Sequence, residues 1–180
     1  MRKLIVALIA PLCITALPAP AQQAKSAPDS EHQLLASLSG QWVVTQSLWS
    51  TPGKPPKIDR GTADLAMILN GRHLRQALRI DDGTNFEGLG YVGYDGTTGK
   101  FFSTWMDVNF PGIVIARGSF DAGSKSITLV GTMDQTKDGE PVGVREVLTI
   151  MDRDHIRYDF YETRRGVEAL GVRLDYTRRR

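Results

Sequence analysis

The chain has 180 residues, 41% of them hydrophobic, with 22 Lys and Arg against 20 Asp and Glu, three His and one Cys. A single Cys excludes a disulfide scaffold, and the near balance of charge excludes the basic excess of a nucleic-acid-binding domain. The length suits one domain with a single hydrophobic core and is short for two.

Arg2 and Lys3 precede the apolar run Leu4 to Leu17, and Pro18-Ala-Pro-Ala21 follows it. A charged start, a short apolar stretch and a small-residue A-x-A site together read as a secretory signal peptide over 1–21. The run is too short to cross a bilayer and contains Pro11, so no transmembrane segment is expected. Cleavage after Ala21 would place the protein in the periplasm or outside the cell. It would also remove Arg2 and Lys3, leaving basic and acidic residues equal at 20 each. Cys13 would leave with the signal; the bulky Leu12 before it does not fit a lipid-anchor site, and it reads as part of the apolar stretch.

Residues 22–29 are polar and small, a linker with no reason to order. Ser30-Glu-His-Gln33 fits a capping box ahead of Leu34, Leu35 and Leu38, with Gly40 placed to end the helix. Everything downstream reads as strands punctuated by turns. Trp42–Trp49 comes first, then the loop Thr51–Pro56, followed by Gly61–Leu69 and Arg72–Ile80 on either side of Asn70-Gly71, a strong hairpin signal. Phe86–Tyr94, Lys100–Asp107, Ile113–Phe120 and Ser126–Met133 follow, each bounded by Asp, Gly or Ser. After the polar loop 134–140 come Val142–Ile150, Ile156–Glu162 and Leu170–Arg178. Ten strands in a continuous meander imply antiparallel neighbours, and so long a sheet curls and closes. The expected fold is all-β: a roughly ten-stranded antiparallel up-and-down barrel, with one short N-terminal helix, in a single domain over 30–180.

Alternation along strands indicates facing. Ile156, Tyr158 and Phe160 share one face; so do Leu170, Val172, Leu174 and Tyr176, and Leu74, Gln76, Leu78 and Ile80. The same reasoning turns Gln46, Arg117 and Glu146 inward, and these polar groups need partners inside. Phe86–Tyr94 and Lys100–Asp107 carry large residues on both faces and cannot be oriented. Val144 and Leu148 inward put Arg145 outward unless a bulge reverses it. Ten strands are expected to leave room for a small ligand, since barrels of about eight either fill or hold one.

Familiar motifs do not carry chemistry here. Gly88-Leu-Gly-Tyr-Val-Gly93 fits G-x-G-x-x-G, but a turn and another strand follow it where a dinucleotide site needs a helix. Asp134-Gln-Thr-Lys-Asp-Gly139 imitates a calcium loop yet has Arg145 where a bidentate Glu belongs. His32, His73 and His155 are isolated, and no nucleophile elbow is present. No metal and no cofactor are expected. The basic clusters Arg164-Arg165 and Arg178–Arg180 read as solvated. Trp49, beside the Pro-Gly loop, is a candidate lid for a barrel mouth.

Leu38-Ser-Gly-Gln-Trp42, after a short helix and opening the first strand, resembles the G-x-W signature of the lipocalin-like (calycin) barrels. That resemblance implies that Gly40 and Trp42 form the signature and that an Arg on the last strand, here Arg178, packs across the Trp. Trp49-Ser-Thr-Pro-Gly53, Asn70-Gly-Arg72, Phe86-Glu-Gly-Leu-Gly90, Gly93-Tyr-Asp95, Trp105-Met-Asp107 and Tyr176-Thr-Arg178 follow in order. The whole series resembles a bacterial family known as a domain of unknown function, family 1579. It implies a calycin-like fold and supplies no catalytic residue. A haem-binding relative among the calycins uses a proximal His near the end of the barrel; Leu170 to Arg178 contains none, so haem is not expected.

The expected function is binding of a small, largely apolar or amphipathic molecule in the barrel. Arg117 or Arg145 would meet an acidic head group, Trp105 and Tyr158 would give flat apolar contact, and Gln76 or Glu87 would orient polar atoms. The alternatives are an enzyme with Glu87 or Asp107 as general base beside an Arg, and a filled barrel serving protein partners.

Overall fold

The computed structural model describes residues 29–134 and 141–180. The expected signal peptide, nearly all of the linker and most of the calcium-like loop lie outside the described residues. Helix α1 (Ser30–Ser37) is followed by ten strands: β1 (Gly40–Leu48), β2 (Lys57–Ile68), β3 (His73–Asp81), β4 (Phe86–Asp95), β5 (Lys100–Asp107), β6 (Phe110–Asp121), β7 (Ser126–Met133), β8 (Val142–Ile150), β9 (His155–Arg164) and β10 (Val167–Arg178). Each strand pairs antiparallel with its sequence neighbour, and β1 pairs with β10 to close the barrel.

The meander follows from turn chemistry. Leu69, Asn70 and Gly71 all take left-handed backbone at the β2–β3 hairpin, as do Arg165 and Gly166 between β9 and β10. At five other corners an aspartate organises the turn. Asp82, Asp95, Asp107, Asp121 and Asp152 each accept a hydrogen bond from a backbone N–H two or three residues on. Bonds from Thr84 and Ser124 hold the Asp82 and Asp121 carboxyls below the usual range.

The helix begins one residue earlier than the capping box implies. Asp29 is the N-cap and accepts from the His32 backbone N–H, while the His32 ring turns onto the same carboxylate. His32 is buried, edge-on to Tyr94. Gly40 does not end the helix: Leu38 is the C-cap, and Gly40 opens β1.

α1 packs against β2, β3 and β4, and its Leu35 joins the core with the following Leu38. That end of the barrel is also held by Arg178. Its guanidinium lies 4.1 Å over the Trp42 ring and donates to the carbonyls of Ser37, Ser39 and Arg153. A Cβ on Gly40 would fall 2.5 Å from Arg178 Nη1, so the glycine makes room for the arginine.

The interior is nearly full, contrary to expectation. Inward Leu65, Leu74, Ile127, Leu129, Leu148 and Ile156 converge and leave a cavity of about 30 Å³, room for roughly one or two waters. Ten strands give circumference, but large aliphatic side chains facing one another consume it. Trp49 does not line this cavity; its backbone N–H donates to Gly171.

Candidate functional site

β3, β8, β9 and β10 bring four polar side chains to the cavity: Gln76, Glu146, Tyr158 and Tyr176. Each alternates with outward residues on its strand, so the pleat alone delivers it inside. Gln76 Nε2 donates to the Tyr176 hydroxyl at 2.8 Å. Glu146 is 3% exposed, and its Oε1 has no hydrogen-bond partner; nor has the Oγ of buried Ser103, on β5. Burial pushes the Glu146 carboxyl from 4.5 up to about 7, against weaker opposing influences of Ser103 and Tyr158. The same burial, with Glu146 adding to it, raises the Tyr158 phenol well above its ordinary value.

Trp105 and Asp107 form a second group on β5. The Trp105 indole N–H donates to Asp107 Oδ2 at 2.9 Å, while Asp107 Oδ1 accepts from the backbone N–H groups of Asn109 and Phe110. The ring lies over Gly88 and Gly90 on β4: a Cβ at Gly88 would fall 2.1 Å from Trp105 Cζ2, and one at Gly90 2.8 Å from Cε3. Gly93 serves the outer face in the same way, under Phe102. The G-x-G-x-x-G pattern is therefore a bed for two aromatic rings. This also orients β4 and β5, whose facing alternation alone leaves open.

Three expected ligand contacts lie outside the barrel. Glu87 is exposed and pairs with Arg79 across β3 and β4 at 3.0 Å. Arg117 is exposed, contrary to the inward reading, because Val114 and Ala116 take the inner face of β6. Ile113 and Ile115, 46% and 42% exposed, imitate an inner row on the outer face. Arg145 points outward, as alternation without a bulge requires. It makes a two-pronged contact with Glu168 at 2.9 and 2.7 Å and lies 3.8 Å over the Tyr161 ring. Neither acid proposed as a general base lines the cavity.

Of the predicted contacts, Gln76 and Tyr158 meet at one site, and Trp105 with Asp107 form the other group. Glu146, the most deeply buried carboxyl, is missing from the predicted contacts although alternation turns it inward. Its signal is a charged residue between Val144 and Leu148 on a strand with a buried face. Among the described residues, no three His, Cys, Asp or Glu side chains gather as metal ligands. No helix there is long and apolar enough to cross a membrane.

A closed antiparallel barrel, held at one end by a helix and an Arg–Trp clasp and carrying the Glu146 carboxyl in its lumen, is a small calycin-like barrel. The chain belongs to the family described as "Protein of unknown function (DUF1579)", which matches residues 27–178. No curated protein matches it in sequence. Among solved structures it is similar to one described as "Structure of EF1p2_mFAP2b bound to DFHBI", at 13% identity and a TM-score of 0.43, covering 83% of this chain and 100% of that one.

Proposed function

We propose that this protein is exported and binds a small, largely apolar molecule in its lumen, with one polar group of the ligand meeting Glu146. The observation that carries the reading is the Glu146 carboxyl, 3% exposed with an unpartnered oxygen on an otherwise mostly aliphatic cavity. Burying an unpartnered polar group costs about 1–3 kcal/mol, and more for a charged one. A filled core would carry Leu or Val there at no such cost. The outer wall supports an aqueous setting: the pairs Arg173–Asp159, Arg157–Asp175 and Arg145–Glu168 stud it, where a lipid-facing barrel would show an apolar band. The N-terminal pattern over 1–21 supports export.

In its present conformation the cavity admits only a group the size of water, so a ligand's apolar tail must part the aliphatic lining. Native mass spectrometry of the full chain, expressed with its own N-terminus, tests both statements. The expected result is a protein lacking residues 1–21 that carries a noncovalent adduct heavier than water. Placing bulk on the cavity wall with Val92→Phe should remove the adduct. An uncut chain refutes export. Protein without any adduct, whose lumen methyl resonances do not respond to added alkyl compounds, refutes lumen binding.

A further inference from the structure

We infer that the ligand's polar group is a protonated nitrogen, an alkylammonium or similar cation, held by the Glu146 carboxylate. This rests on the lumen-binding reading and deepens it. Among the described residues the cavity wall carries one carboxyl, the amide of Gln76 and two phenols, and no Lys, Arg or His. The arginines expected to meet an acidic head group are outside, Arg117 exposed to solvent and Arg145 on Glu168. An anionic ligand would therefore meet Glu146 with no compensating positive charge, in an interior where like charges repel strongly. A cation meets the opposite situation. It supplies the counter-charge that the wall lacks and a donor for the free Oε1.

Size agrees. An ammonium group is close to water in bulk, so the cavity of about 30 Å³ takes the head group as it stands. The groups near Glu146 from the packed strands are Leu129 on β7, Phe160 and Tyr158 on β9 and Ser103 on β5, with Tyr176 of β10 on the same cavity. Only the two phenols among them titrate, and burial keeps both neutral well past pH 8.

Three four-carbon probes separate the possibilities: butylamine, 1-butanol and butyrate, titrated against the full chain at pH 8 with lumen methyl resonances as the readout. Butylamine is expected to bind at least about tenfold more tightly than butanol, with no binding of butyrate, the range of one hydrogen bond to a charged group. Glu146→Gln should abolish the amine's advantage while butanol binding persists. In the unaltered protein the amine's affinity should fall about tenfold or more from pH 8 to pH 5, as the carboxyl protonates while the amine stays charged. That second measurement stands even if the variant folds poorly. Equal binding of amine and butanol, or tighter binding of butyrate, overturns the cation inference and leaves lumen binding intact. If none of the three shifts a lumen methyl, the cavity holds water only, and both readings fail.

Discussion

Replacing Glu146 by Gln should stabilise the ligand-free protein, and only at neutral and alkaline pH. In the folded chain burial holds this carboxyl at about 7 against an ordinary 4.5. Between those values the native state keeps a proton that the unfolded chain has released. Stability therefore falls as pH rises through that window and stays low above it. The gap amounts to about 3 kcal/mol, at roughly 1.4 kcal/mol for each tenfold change in proton affinity. Gln keeps the shape and cannot ionise, so it escapes this loss. For a domain of this size roughly 2–4 °C accompanies each kcal/mol. Thermal unfolding followed by circular dichroism should then show Glu146→Gln melting about 6–12 °C above the parent at pH 8 and within about 3 °C of it at pH 4.5. Titrations elsewhere are common to both proteins and cancel in the comparison. A gain of equal size at both pH values would mean a packing effect, and no gain at pH 8 would mean that the carboxylate is already compensated; either result refutes the reasoning.

Other perturbations address the frame and the rejected contacts. Arg178→Leu removes the ring contact with Trp42 and three donations to carbonyls, and should cost about 2–4 kcal/mol in urea unfolding. Gly40→Ala should lose part of its cost in that background, because its Cβ then has no guanidinium to strike; full additivity would separate the two residues. Gly88→Ala should cost about 1–3 kcal/mol and shift Trp105 fluorescence to the red, as the new methyl evicts the indole. In a Trp105→Leu background the same change should be nearly neutral. Arg117→Ala and Arg145→Ala should leave butylamine binding unchanged, and a loss in either would return that arginine to the ligand site.

The strand order was legible because hairpins are local. Asn70-Gly71 and the aspartates at the corners determine where the chain reverses, and every strand pairs with its neighbour in sequence apart from the closing pair. The closing contact between Trp42 and Arg178 was legible only through resemblance, since no local rule links residues so far apart. Facing failed where side chains were missing or misleading. Gly88 and Gly90 have no side chain to declare a face, and the ring that fills their space comes from β5. Ile113 and Ile115 are apolar yet outward, which displaced Arg117. The site failed differently: Arg145 and Glu87 look functional by type but pair with Glu168 on β10 and Arg79 on β3, invisible until the strands are placed. Glu146 was visible as an inward acid; that no described Lys, Arg or His shares its cavity was not.

Pairing of β1 with β10 has a further consequence for how the molecule is made. Trp42 cannot meet its partner until residue 178 has been synthesised, so until then the tube is a curled ribbon with two raw edges. Such long-range closure is slow, and an unsealed edge invites foreign strands. A tube that seals with its tenth stave remains an open, threadable ribbon until that strand has been made.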